Sequence, residues 1–71
     1  MMPLTMTTPG TQVTVSTIKG KDDTKRFLET LGFVTGTQVM VISELGGNVI
    51  VNVKEARVAI SKAMASRILI H

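Results

Sequence analysis

VSTIKGKDDTKRFLETLGFVTGTQVMVI, residues 15–42, changes its hydrophobic period twice, and that change decides the fold. Just ahead of it and into it, TQVTVSTI (11–18) sets Val13 and Val15 against Gln12, Thr14 and Ser16, the period-two pattern of a half-buried strand. In KDDTKRFLETLG (21–32) the period lengthens. Phe27, Leu28 and Leu31 stand at i, i+1 and i+4, one apolar stripe on a helix whose wet side holds Lys25, Arg26, Glu29 and Thr30. Asp22 or Asp23 is placed to cap its first turn, and Gly32 to end it in the left-handed conformation. A helix of about ten residues does not persist alone in water, so it must pack on something. TQVMVISEL (37–45) then returns to a strand, with Val39 and Val41 on one face and Met40 and Ile42 on the other.

Downstream, NVIVNV (48–53) alternates again, and Gly46-Gly47-Asn48 reads as the turn of a hairpin. Lys54-Glu55 makes another tight turn into ARVAIS (56–61). Residues 62–66 connect to a last strand, RILIH (67–71). Upstream, residues 1–10 read as an extended arm ending in a Pro9-Gly10 turn. The expectation is a mainly all-β domain over residues 11–71, a small closed five-stranded barrel with one short helix between its first and second strands.

Seventy-one residues make one domain with a thin core, since a chain this short removes only roughly 60% of its unfolded surface from water. There is no cysteine, which fits a reducing compartment and excludes thiol-redox and zinc-ribbon chemistry. Phe27 and Phe33 are the only aromatic residues, so the core must be aliphatic. The formal charge of +3 bears first on solubility. No apolar run approaches a membrane span, and the N-terminal stretch lacks the basic and apolar regions of a secretory leader, so the reading is a cytoplasmic protein without direct membrane insertion.

Catalytic chemistry finds no support. His71, the single histidine, is at the end of the chain, where nothing holds it as an acid or base. Asp22 and Asp23 are explained by capping, while Glu44 and Glu55 border turns. With Glu29 these are all the carboxylates, and no metal site or cofactor is expected from them. Met40 and Met64 read as core fillers rather than soft-metal ligands. Gly20-Lys21 lacks the rest of a phosphate loop. Lys19, Lys21, Lys25 and Arg26 form a basic cluster, but barrel-type single-strand binders need aromatic platforms that no strand here supplies, so nucleic acid is not expected. A polyproline groove fails for the same reason.

One positive feature remains. Met40, Ile42, Ile50 and Leu69 face away from their strands' main core rows, and Leu45 sits at a loop tip. A barrel this small has one interior, so some of these must be covered by the helix, the arm or another chain. The same surplus favours self-association, a homo-oligomer.

The order of features resembles the FeoA family. Its signature helix is matched by Gly20, then Arg26, Leu28, Leu31 and Gly32; the following turn and strand by Gly32, Gly36, Thr37, Val39 and Val41; a later strand by Arg57-Val58-Ala59-Ile60. The likeness runs from about Thr11 to Ile70. It implies an SH3-like barrel, transition metal ion binding as a family property, and a role as a small cytosolic accessory of bacterial ferrous iron uptake. The implied partner is the FeoB-type membrane permease, through its cytoplasmic GTP-binding domain. The expected docking surface joins Lys25, Arg26 and Glu29 of the helix to Met40, Ile42, Leu45 and Ile50. The alternative implied role is a FeoA-like regulatory domain of a metal-dependent transcriptional repressor. Nothing in the chain binds phosphate, so any effect on GTP hydrolysis would be exerted on a partner, with Arg26 or Arg57 the arginine to reach into its site.

Overall fold

The computed structural model, which describes residues 1–71, begins with an element that no alternation rule reaches: β1 (Met2–Pro3), followed by a 3-10 turn (Leu4–Met6). Then come β2 (Gln12–Ile18), α1 (Asp23–Thr30), β3 (Gln38–Leu45), β4 (Asn48–Val53), β5 (Ala56–Ser61), a four-residue helix α2 (Lys62–Ala65) and β6 (Ile68–Ile70). The five expected strands are all present and β1 is a sixth. All pair antiparallel in one sheet of order β1-β6-β2-β3-β4-β5. No helix is long and apolar enough to cross a membrane.

Two register shifts reconcile the strands with the core. Between Val15 and Thr17 the ladder of β2 with β6 slips by a residue, so Val15 and Ile18, three apart, both point inward. Between Val41 and Ser43 a second slip leaves Ile42 unpaired on the outer side, where alternation already puts it, and brings Ser43 to that side as well. The inner rows, Val39 and Val41 with Val49, Val51 and Val53, join Leu28, Phe33, Ile60, Ile68 and Ile70 in a single core of 14 buried apolar residues. No polar or charged side chain is buried among them.

The sheet does not close by hydrogen bonds, because its edges β1 and β5 do not pair with each other. Leu4 from the 3-10 turn and Ala65 from α2, both fully buried, occupy the gap, with α2 packed on β5 and on the turn. Residues 1–10 are therefore more than an extended arm. They supply a strand and a core residue, and burying Leu4 alone contributes about 2 kcal/mol.

α1 lies across the end of the barrel where β2 and β4 finish and β6 begins. Its closure is specified by backbone geometry. The Gly32 N–H donates to Glu29 O (3.0 Å) and the Phe33 N–H to Leu28 O (3.1 Å), the paired bonds of a glycine-terminated helix, with Leu28 and Phe33 both buried against it. Gly32 has φ +111°, and a Cβ there would meet Val53 Cγ2 at 3.1 Å. The helix is shorter than its apolar stripe suggested. Leu28 is fully buried and Leu31 packs on the core, but Phe27, expected to share that stripe, is 50% exposed. One residue of helix turns the side chain by about 100°, so a helix seated along the Leu28–Leu31 line carries Phe27 onto the rim.

Beside this seat, Lys54 takes φ +57° in the two-residue turn between β4 and β5, and its aliphatic stem runs close to Gly32. Left-handed backbone costs a side-chain-bearing residue roughly 1–2 kcal/mol. Lys54→Gly is therefore expected to stabilise the fold by about 1 kcal/mol, and Gly32→Ala to destabilise it by roughly 2 kcal/mol. Urea denaturation of the two variants measures both, and shifts of the same sign would refute this account of the two turns.

Candidate functional site

The structure sorts the seven candidate docking residues into three places. Met40 stands opposite Gln12 on β2 and Asn52 on β4, and Asn52 stands opposite Arg57 on β5, so the four share a row across the outer face. The next row holds Ser43, Ile50 and Ala59, with Ile42 at the bulge beside it. Met40, Ile42 and Ile50 are thus brought together, each half-buried, on a face framed by polar and small side chains.

Lys25, Arg26 and Glu29 gather elsewhere, on α1, where with Lys21 and Asp22 they line a shallow polar depression of about 230 Å³. Leu45, 75% exposed, closes the β3–β4 hairpin opposite Asn48. That places it at the far end of the barrel from α1, because β3 begins beside the end of β4 and runs eight residues, roughly 25 Å, away from it. Helix and hairpin tip therefore belong to opposite poles and not to one surface. At the hairpin pole a second crevice of only about 40 Å³ lies between Leu4, Thr5, Thr7, Pro9, Val41, Glu44 and Val49. Ligand sites for small molecules enclose roughly 300–1,000 Å³ with apolar walls, so neither hollow has that character.

Charge follows the same division. Lys19, Lys21, Lys25, Arg26, Lys54, Arg57 and Arg67 lie toward the helix end with Asp22, Asp23, Glu29 and Glu55, seven basic against four acidic side chains. At the hairpin pole Glu44 and Lys62 neutralise each other at 3.1 Å. The whole formal excess of +3 is thus carried at one end.

Arg67 is the residue beside the basic face of α1 that sequence reasoning missed. Its backbone carbonyl accepts from the Lys19 N–H (2.8 Å), and its Nε donates to Lys19 O (3.0 Å). Its two terminal nitrogens reach the two Asp22 oxygens at 3.3 and 2.7 Å. Asp22 is at the same time the N-cap of α1, accepting from the Lys25 N–H at 3.4 Å. The Arg67 guanidinium, and after it the Lys25 amide, hold the Asp22 carboxyl below its usual 3.8. Gly20 has φ +99°, a conformation that favours glycine, and a Cβ there would displace that guanidinium from its place beside Asp22. Arg67 thus fixes where α1 starts and how its basic face is presented. No three of the histidine, aspartate and glutamate side chains come together as a metal-holding group.

The family model of the FeoA domain matches residues 2–71. The chain belongs to the FeoA family. A crystal structure of an iron uptake regulatory protein, FeoA, is 30% identical and superposes with a TM-score of 0.88, over 99% of this chain and 93% of that one. The FeoA of Stenotrophomonas maltophilia, solved with zinc and described as a procaryotic SH3 domain protein, is 27% identical with a TM-score of 0.87, covering 100% and 91% of the two chains. The FeoA of Chlorobium tepidum is 25% identical at a TM-score of 0.87, covering 99% and 69%. A manganese-dependent transcriptional repressor matches over 93% of this chain but 38% of its own, at 23% identity and a TM-score of 0.81, a likeness of fold. No curated protein sequence matches. The SH3-like barrel is thus the family's fold, and membership of the FeoA family links the chain to ferrous iron transport. The match begins at residue 2, so it takes in β1 and the 3-10 turn as well as the barrel from residue 11 onward.

Arg67→Ala should lower the melting temperature near neutral pH. Asp22 has a lowered folded-state pKa, so its contribution is complete above about pH 4 and disappears as pH falls through that lowered value; wild type and variant should converge in acid. Gly20→Ala should cost less in the Arg67→Ala background than in wild type, because the guanidinium it would displace is gone. Melting curves of the four proteins across pH test both points, and strict additivity would show that Gly20 and Arg67 are not coupled.

Proposed function

We propose that this FeoA protein is an accessory of bacterial ferrous iron uptake that acts from the cytoplasmic side by docking onto the cytoplasmic part of the FeoB-type permease. Iron is the cargo of that system and not a resident group of this chain. The observation that carries the reading is the family match over residues 2–71, joined by 30% identity to an iron uptake regulatory protein along nearly the whole of both chains.

Within the fold, the outer face of β3 and β4 is the docking surface we favour. Met40, Ile42 and Ile50 lie together there, and an apolar centre with a polar rim of Gln12, Asn52 and Arg57 has the layout of a protein interface. The basic pole beside α1 would speed and orient encounter with an acidic partner surface, an effect that salt weakens. Contacts at a desolvated centre commonly contribute more than 1 kcal/mol each, whereas rim charges act mainly on association rate.

Met40→Asp is expected to abolish co-purification with the permease's cytoplasmic part while leaving the melting temperature near that of wild type, since Met40 is outside the core. Leu45→Asp, at the far pole, should retain binding. Affinity measured by calorimetry should change at least tenfold for the first variant and less than twofold for the second. Full binding and ferrous uptake by Met40→Asp would sink this choice of surface.

A further inference from the structure

β5 is a free sheet edge. It pairs only with β4, along six residues in unbroken register from Val53↔Ala56 to Asn48↔Ser61. The turn between the strands has two residues, which makes Val53–Ala56 a hydrogen-bonded pair and directs the N–H and C=O groups of Arg57 and Ala59 away from β4. No backbone hydrogen bond beyond the β4 ladder involves residues 56–60. Ala56, Arg57 and Ala59 are exposed.

Native proteins normally protect such an edge with proline, a bulge, an inward charge or a covering loop. The opposite edge, β1, is protected in this way, being two residues long and ending in Pro3. β5 has no proline, bulge or inward charge, and although α2, which follows it at Lys62, packs on the strand, Ala56, Arg57 and Ala59 stay exposed. Its sequence, Ala-Arg-Val-Ala-Ile-Ser, contains one charge, and Val58 and Ile60 are strand-favouring residues. An unpaired row of alternating donors and acceptors calls for one kind of ligand, another extended backbone.

We infer that the edge of β5 receives an extended segment of the partner protein as a seventh strand, with an acidic side chain of that segment beside Arg57. The inference rests on the docking reading above and gives the partner's contacting segment its chemistry. Charge supports the choice of occupant. Arg57 belongs to the end that carries the excess of +3, and β5 has no acidic residue to receive the Arg57 of a second copy. Position supports it too. Arg57 and Ala59 end the two outer-face rows that contain Met40 and Ile50, so an added strand extends those rows without a break.

The probe is a capped six-residue peptide alternating valine with threonine and carrying one central glutamate, compared with the same peptide carrying lysine. Titrated into the labelled protein, the glutamate peptide should shift the amide resonances of Arg57 and Ala59 and slow their hydrogen exchange. The lysine peptide should bind at least fivefold more weakly. Ala59→Pro removes an outward donor without touching the β4 ladder, and should weaken peptide binding at least tenfold and reduce co-purification with the permease. Arg57→Glu changes only a side chain and should reverse the preference between the peptides, which keeps the test decisive if the proline variant does not fold. Shifts confined to other elements, or an unaltered preference in Arg57→Glu, would overturn the inference. So would protection of β5 that rises with protein concentration in the absence of peptide, which identifies a second copy as the occupant. Retained co-purification by a folded Ala59→Pro protein removes the edge and leaves the docking reading standing. If wild type itself fails to co-purify, the docking reading falls and the peptide titration alone decides the edge.

Discussion

Leu28 and Phe33 meet where α1 ends, and the rest of the molecule is arranged around that contact. A sheet curled around 14 core side chains has open ends, and this one also has edges that never pair. The helix covers one end only if its last turn reverses within a single residue, which Gly32 permits and the approach of Val53 enforces. The gap between the edges is filled by two small contributions, Leu4 and Ala65. Each is cheap in chain length, and each keeps water off a core that has no disulfide to reinforce it.

The strands were legible because period-two alternation is a strong local signal when one face is buried. The start and end of α1 were legible for an equally local reason, since a capping carboxylate and a terminating glycine act within a few residues. What escaped was set by tertiary partners. β1 has two residues and no pattern, and becomes a strand only because β6 offers an edge. α2 has four residues and gains its order by covering the core. Phe27 looked like part of the helix stripe, because composition cannot say how wide a seat the barrel offers. The bulges that send Ile18 inward and Ser43 outward are likewise invisible without the neighbouring strand.

The candidate surface shows the same boundary. Strand parity alone marked Met40, Ile42 and Ile50 as surplus to the interior, and they do share one face. Parity could not say that Leu45 and α1 would be carried to opposite poles, because that depends on the direction in which β3 leaves the helix end. Arg67 is 45 residues from Asp22, and no local rule connects an arginine before the last strand to a helix cap near the first. Its role is one of placement, and through Asp22 it sets the basic face whose charge the partner would meet.

The strand order has a consequence in time as well as in space. β6 lies between β1 and β2, so a strand made near the beginning of synthesis can reach the sheet only through one made more than sixty residues later. The meander from β2 to β5 has its partners as it emerges, whereas β1, Leu4 and the Arg67 clasp on the helix must wait. The pairings of the middle are thus between neighbours in sequence, and closure of the barrel is the long-range step, the one with the largest loop-closure cost.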